Sequence, residues 1–68
     1  MKLSARNVIP GKVVAITKGA TTSHIKIEIA PGQVITSSIT NESVEGLMLT
    51  IGDQVCAVIK SSDVIVGK

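Results

Sequence analysis

The most constraining feature of this sequence is a run of seven residues in which polar and apolar side chains alternate strictly. In residues 23–29, three isoleucines fall on one side, and a histidine, a lysine and a glutamate fall on the other. This period of two is typical of a β-strand with one buried face. Residues 30–32 (Ala-Pro-Gly) are turn formers, so residues 33–39 are predicted to return as the second strand of a hairpin.

The rest of the chain also favours strands over helices. Ile, Val and Thr make up 25 of the 68 residues, and such β-branched side chains are enriched in sheets. Residues 54–59 are predicted to form a strand buried on both faces or nearly so, and residues 64–66 a final short strand after a polar connection at 60–63. Only residues 40–49 show helical spacing, and Gly46 limits that helix to one or two turns.

The amino-terminal segment is predicted to be an extended arm bent in its middle. Apolar residues recur through 1–18 but are interrupted by Pro10 and Gly11. Because proline cannot donate a hydrogen bond to a neighbouring strand, this point should be a bend, a bulge or a change of partner strand. The order of elements predicts one all-β domain over residues 1–68, a small five-stranded barrel of the oligonucleotide/oligosaccharide-binding (OB) type with one short helix after the third strand.

A chain of this length has difficulty stabilising itself. Such a domain buries only about 60% of the surface that its unfolded chain exposes. The single Cys56 rules out an intrachain disulfide, and together with His24 it supplies only two of the four ligands of a structural zinc site. The composition is 44% hydrophobic and 18% charged, with a mean hydropathy of +0.46. We therefore expect self-association, with part of the apolar surface facing another copy.

The sequence contains few side chains in arrangements suited to catalysis. His24 lies on the polar face of the alternating strand and is expected to be an ordinary exposed histidine, whereas Cys56 is expected to be a buried, inert thiol. No pair of carboxylates suggests acid–base catalysis, and no glycine-rich nucleotide-binding motif occurs. The sequence therefore predicts a protein that is not an enzyme.

Nucleic acid and membranes are also poor candidates for partners. Barrels of the OB type bind single strands through aromatic side chains that stack on bases, but this chain has no aromatic residue and a net charge of only +2. Polar residues interrupt every apolar run well before the roughly 18 to 20 residues that cross a bilayer. With no signal peptide and one free thiol, a cytoplasmic location is expected.

Three short clusters of hydrogen-bond donors stand out instead, at residues 4–7, 40–43 and 60–62. Each alone has an ordinary structural explanation: a solvated arm, a helix N-cap and a turn, respectively. Together they offer hydroxyls, backbone amides and the charges of Arg6 and Lys60, which suit a small tetrahedral oxyanion that has only acceptor oxygens. The clusters could converge within one protomer or across a subunit contact, and the expected self-association favours the second.

These clusters resemble the signature of a known family, the molbindins, which are small molybdate-binding proteins of the Mop type. Three motifs carry the resemblance: Ser4-Ala5-Arg6-Asn7, Gly11-Lys12-Val13 and Lys60-Ser61-Ser62-Asp63-Val64-Ile65. The resemblance implies an OB-type barrel assembled as a hexamer, a trimer of dimers, with oxyanions held between subunits. It also implies cytoplasmic storage of molybdate, and of tungstate, that buffers the supply for molybdenum-cofactor synthesis.

The resemblance also assigns residues to the site. The positions that match those holding the anion in the family are Ser4, Ala5 through its backbone, Arg6, Thr40, Ser43, Lys60 and Ser61. Thr40 and Ser43 would reach the anion from the neighbouring subunit. Asn7 and Ser62 adjoin the set, and Asn7 has the alternative role of supporting the arm.

Two further expectations follow from the resemblance. The metal would arrive already coordinated by its four oxygens, so neither a cofactor nor a metal-ligating residue is expected. A free-standing buffer is expected rather than a regulator or a transport ATPase, because no DNA-binding or ATPase segment accompanies the motifs. The alternative function is a structural or interaction module without a ligand, in which the three clusters are only an arm, a cap and a turn.

Overall fold

The structure is a computed structural model that describes residues 2–68. Its elements, in chain order, are β1 (Asn7–Lys18), β2 (Thr22–Ala30), β3 (Gln33–Thr40), α1 (Asn41–Gly46) and β4 (Gln54–Ile59), followed by a 3-10 turn at Ser61–Asp63. The strands form one sheet in the spatial order β3-β2-β1-β4, and every neighbouring pair is antiparallel. The predicted hairpin and the predicted bounds of β4 are confirmed to within one residue.

Strand β1 changes its partner near its middle. Its first half, up to Lys12, pairs with β4, and its second half, from Lys12 onwards, pairs with β2. The register slips between Val13 and Ala15, which leaves one extra residue in β1 as a bulge. The Val13 amide donates instead to the Asp53 carbonyl at 3.0 Å. Of the bend, bulge or change of partner strand predicted at Pro10 and Gly11, the structure shows a change of partner at Lys12 and a bulge just after it.

The core lies on one face of the sheet, where β1, β2 and β4 meet. Val13, Ile25, Ile27 and Ala57 are buried there, each with 7% or less of its surface exposed. Ile25 and Ile27 belong to the alternating run, whose histidine and lysine are exposed, so the alternation predicted the buried face correctly. Eleven large apolar side chains stay exposed against these four buried ones, and this imbalance leaves apolar surface available to a partner.

Strand β4 is less buried than predicted, and the prediction of a buried thiol is wrong. Ala57 is the buried residue of this strand, whereas Cys56 and Val58 on either side of it are exposed. The physical reason is that β4 is an edge strand of a sheet with one covered face. A run that is apolar at every position does not reveal which face is covered.

The predicted fifth strand does not form in the chain, and the closed five-stranded barrel is wrong in this respect. Residues 64–66 pair with no strand within residues 2–68, and the sheet is open with four strands. Ile65 and Val66 are 92% and 89% exposed. Val-Ile-Val has high β propensity, but a strand also needs a partner edge for its backbone groups, and the sequence does not identify one.

Helix α1 has six residues, as expected for one or two turns, and ends with an identifiable cap. The Leu49 amide donates to the Val44 carbonyl at 3.1 Å, and the Met48 amide donates to the Glu45 carbonyl at 3.0 Å. These are the paired bonds of a Schellman motif, which puts Met48 in a left-handed backbone conformation with φ of 51°. None of the helices in the described part of the chain has the length and apolar character needed to span a membrane.

Replacing Met48 by glycine is expected to give a more stable protein than replacing it by alanine. Both changes remove the same side chain, which is 79% exposed, but only glycine adopts the left-handed conformation without a Cβ clash. We expect a difference of about 1 kcal/mol in the free energy of unfolding, measured by urea denaturation at one protein concentration. Equal stability of Met48→Gly and Met48→Ala would contradict the left-handed conformation.

Candidate functional site

The two end motifs lie side by side at one end of the sheet. Asn7 pairs with Ile59 at the last position of the β1–β4 ladder, and the Asn7 Nδ2 donates to the Ile59 carbonyl at 3.2 Å. Arg6 and Lys60 are the next residues along the two strands, so antiparallel pairing brings them to the same end of the sheet. We call residues 4–6 and 60–62 the terminal cluster. Asn7 thus holds the arm in place beside this cluster.

The terminal cluster carries two positively charged side chains, and their N–H groups make no hydrogen bond to a group within residues 2–68. Ser4, Arg6, Lys60 and Ser61 are exposed, and none of them takes part in a side-chain hydrogen bond found within residues 2–68. Like charges on neighbouring strand positions repel each other. An anion placed between the two side chains would replace that repulsion with charge-assisted hydrogen bonds.

The 3-10 turn adds backbone donors to the terminal cluster. The Asp63 amide donates to the Lys60 carbonyl at 2.8 Å and closes the turn. The first amides of such a turn have no carbonyl partner within it, so Ser61 and Ser62 present N–H groups as well as hydroxyls beside Lys60. The exposed carboxylate of Asp63 offsets one of the two positive charges. The cluster therefore relies on donor geometry as much as on charge.

The other two predicted donors, Thr40 and Ser43, form the first turn of α1, and we call them the helix cluster. The Ser43 amide donates to Thr40 Oγ1 at 3.0 Å, and the Thr40 hydroxyl donates to Ser43 Oγ at 2.8 Å. This confirms the N-cap explanation of Thr40. The Thr40 hydroxyl proton is engaged in the bond to Ser43. The Ser43 hydroxyl proton is free to bond an external acceptor. A six-residue helix adds little dipole to this donor.

The terminal cluster and the helix cluster lie at opposite ends of β1. The terminal cluster adjoins Asn7, the first residue of the strand. The helix cluster lies near Lys18, the last residue, because Ser23 pairs with both Lys18 and Ile39. Twelve residues of extended chain span on the order of 30 Å or more, and the longest dimension of the protein is 33 Å. We therefore expect that one protomer does not bring both clusters to the same small anion.

An apolar groove of about 160 Å³ on the core side of the sheet is unsuited to an anion. Val13, Ile25 and Leu49 are among its lining residues, with Ser37 and Cys56 as its polar members. None of the predicted donors lines it. A dianion placed there would lose its hydration without receiving enough hydrogen bonds in return. The groove is therefore not the site predicted from the donor clusters.

His24, to which the sequence assigned no role, is exposed as predicted. It lines a pocket of about 280 Å³ at the β1–β2 turn, together with Thr17, Lys18, Gly19 and Thr22. These neighbours include no other imidazole, thiol or carboxylate. Across residues 2–68, no group of three or more His, Cys, Asp or Glu side chains lies close enough to hold a metal ion.

Sequence reasoning missed one polar contact beside the helix cluster. The Ser23 hydroxyl donates to Asn41 Oδ1 at 2.5 Å, and Ser23 is only 2% exposed. The signal was present in the sequence, because Ser23 continues the inward-facing row of Ile25 and Ile27. A polar residue in such a row needs a hydrogen-bond partner. Here that partner is Asn41, one of the two residues between Thr40 and Ser43 and part of the predicted donor segment.

Comparison with known proteins identifies the relatives of this chain. The sequence matches the TOBE domain family over residues 3–66. Molybdenum-pterin-binding protein 3 of Clostridium pasteurianum is 47% identical over 66 residues, which is 97% of each chain. The solved structure of a molybdate-binding protein from Sporomusa ovata is 35% identical, with a TM-score of 0.93 over the whole of both chains.

A third relative is the cytoplasmic molybdate-binding protein ModG, solved with molybdate bound. It is 42% identical with a TM-score of 0.90, and the match covers 96% of this chain and 46% of the ModG chain. The likeness to these structures is consistent with an OB-like fold for the four-stranded sheet. The resemblance drawn from the end motifs is confirmed: this chain belongs to the TOBE domain family, as a homologue of the Mop-type molybdenum-pterin-binding proteins.

Proposed function

We propose that this protein, as one domain over residues 1–68, binds molybdate and tungstate as intact oxyanions. It acts as a cytoplasmic storage protein, without catalysis, that buffers the anion supply for molybdenum-cofactor synthesis. The observation that carries the proposal is the placement of Arg6 and Lys60 at the paired ends of β1 and β4, with their side chains unengaged. The molybdate-binding relatives support the choice of anion, and the cytoplasmic relative supports the location.

The residues of the terminal cluster have distinct roles in this proposal. Arg6 and Lys60 supply positive charge, while the hydroxyls of Ser4 and Ser61 and the backbone of Ala5 fix the geometry. Asn7 acts indirectly, through its hydrogen bond to the Ile59 carbonyl. Ser62 offers an additional hydroxyl at the rim. All the contacts go to oxygens that already belong to the anion, so the protein does not ligate the metal.

A homo-oligomer completes the site in this proposal, and the expected assembly is a hexamer built as a trimer of dimers. The separation of the two clusters supports it, because the helix cluster can reach an anion at the terminal cluster only from another subunit. The exposed apolar side chains support it as well. The most exposed of these are Ile65, Val66 and Met48, each at least 79% exposed. Covering such side chains would contribute favourable burial to an assembly.

Selectivity for molybdate over sulfate must come from size, because both are tetrahedral dianions. A ring of donors spaced for the larger molybdate leaves sulfate with longer and weaker hydrogen bonds. The ring discriminates only if its donors are held rigidly. Tungstate, which is nearly the same size as molybdate, is expected to bind equally well.

The bare oxyanion is favoured over a molybdenum-pterin as the ligand. A pterin ring gains affinity by stacking on aromatic side chains. This chain contains no Phe, Tyr or Trp. The name of the Clostridium pasteurianum relative includes pterin, so a titration with molybdate alone is the decisive comparison for this chain.

Isothermal titration of the purified protein with molybdate, in a large excess of sulfate, tests the proposed function. We expect saturable binding of at least about one anion per subunit, since each subunit contributes one terminal cluster and one helix cluster. The native mass of the same sample is expected to be that of a hexamer. Tungstate should compete, whereas doubling the sulfate should change the isotherm little.

Two outcomes of this titration would contradict the proposal. A hexamer that takes up no molybdate would favour the alternative of an interaction module whose clusters serve only as an arm, a cap and a turn. A monomer that binds molybdate with full affinity would show that the terminal cluster suffices, and it would remove the helix cluster from the site.

A further inference from the structure

Asn41, the first residue of α1, is bonded to the β1–β2 hairpin through both its backbone and its side chain. Its backbone amide donates to the Thr21 carbonyl at 2.9 Å. Its Nδ2 donates to the carbonyls of Gly19 at 3.0 Å and Ala20 at 3.3 Å. Its Oδ1 accepts the Ser23 hydroxyl. Four hydrogen bonds thus join the start of the helix to one turn of the sheet.

Ser23 is the fixed point of this arrangement. It is the buried polar residue within residues 2–68, and its backbone lies between its ladder partners Lys18 and Ile39. A buried hydroxyl without a partner costs free energy. The bond to Asn41 Oδ1 satisfies that hydroxyl. The carbonyls of Gly19 and Ala20 can only accept, so they direct Nδ2 towards the turn and leave Oδ1 facing Ser23.

Apart from the β2–β3 ladder, which ends at Thr40, few contacts hold the first turn of the helix. A six-residue helix is not stable by itself in water, and Val44 is the residue of α1 that packs against the core. Thr40 is the last residue of β3 and pairs with Thr22, whereas Ser43 lies two positions after Asn41. The bonds of Asn41 therefore fix the place of Ser43 relative to Thr40 and the sheet. Without the side-chain bonds of Asn41, Thr40 would stay in the β2–β3 ladder, but Ser43 would be held only by its bonds to Thr40 and by the packing of Val44.

We propose that Asn41, bonded to the buried Ser23 and to the turn carbonyls, is a positioning residue that holds Ser43 of the helix cluster at the spacing required for molybdate. This inference rests on the proposed function, and it assigns the rigidity of the donor ring to a residue that touches no anion. Loosening the cluster lets the donors approach the smaller sulfate more easily. The affinity for molybdate should therefore fall more than the affinity for sulfate.

The test compares Asn41→Ala and Ser23→Ala with the unaltered protein in titrations with molybdate and, separately, with sulfate. We expect about tenfold weaker molybdate binding for Asn41→Ala, the usual lower bound for the loss of a residue that orients a ligand-binding group. The molybdate-to-sulfate affinity ratio should fall severalfold. Ser23→Ala, which removes one bond only, should move both quantities in the same direction by less. Gln33→Ala, which removes an exposed amide from the far end of β3, should change neither.

The selectivity ratio separates positioning from a general loss of stability, because partial unfolding lowers both affinities by the same factor. An unchanged ratio in folded Asn41→Ala and Ser23→Ala would overturn the inference. The double variant Thr40→Ala/Ser43→Ala separates this failure from failure of the proposed function. If that variant loses affinity while Asn41→Ala does not, the positioning role is wrong and the site stands. If the unaltered protein binds no molybdate, both fall.

Discussion

Lys60→Ala is expected to weaken molybdate binding by about 1.5–3 kcal/mol, or roughly 10- to 150-fold in Kd, the range for hydrogen bonds to charged groups. The reason is local: Lys60 contributes a charge beside Arg6 at the paired ends of β1 and β4. Arg6→Ala should have a similar effect. Arg6→Lys should lie between, since it keeps the charge but loses the planar fork of the guanidinium. Isothermal titration at one fixed ionic strength measures all three.

Lys26→Ala is the matched control for this prediction. Lys26 lies in the middle of β2, paired with Ala15 and Thr36, and is exposed far from the terminal cluster. Lys26→Ala removes the same unit of positive charge as Lys60→Ala. Any effect of net charge alone on the affinity for molybdate should therefore be equal in the two variants. Equal losses in the two variants would mean that the anion responds to overall charge and has no defined site at Lys60.

The alternating strand was the part of the fold that the sequence determined best. The period of two in residues 23–29 indicated both the strand and its buried face, and the turn residues that follow gave the hairpin. The sequence did not predict which face of β4 is buried, because its continuous apolar run shows no alternation. The prediction that Cys56 lies in the core was wrong for this reason. The predicted strand at 64–66 failed for another reason, because strand propensity is local whereas a strand partner is not.

The candidate site shows the same division between local and long-range information. The sequence indicated donors at both ends and in the middle of the chain. It also gave a helix N-cap as the ordinary explanation of residues 40–43, and Thr40 provides that cap. It left open whether the clusters meet in one protomer. That answer depends on the registers of β1 with β4 and of β2 with its neighbours, which place Arg6 near Lys60 and the helix cluster at the far end of β1.

Gly11→Ala is expected to cause the largest loss of stability of any single methyl addition at a glycine of this chain. A Cβ at Gly11 would lie 2.6 Å from Ile27 Cγ2 and 2.8 Å from the Glu28 carbonyl oxygen. Ile27 is buried in the core. Glu28 is the ladder partner of Lys12, at the point where β1 begins to pair with β2. We expect a cost of about 3 kcal/mol, the upper part of the range for overpacking.

The size of this loss depends on the change of partner strand in β1, which brings the backbone of Gly11 against β2. Gly46→Ala is the matched control, because a Cβ there meets nothing within 4 Å and the position is helical. That variant should be neutral or more stable by about 0.4–1 kcal/mol. Urea denaturation at one protein concentration measures both, since subunit association adds to apparent stability. If Gly11→Ala unfolds at the same urea concentration as Gly46→Ala, β1 does not cross β2 as closely as the structure has it.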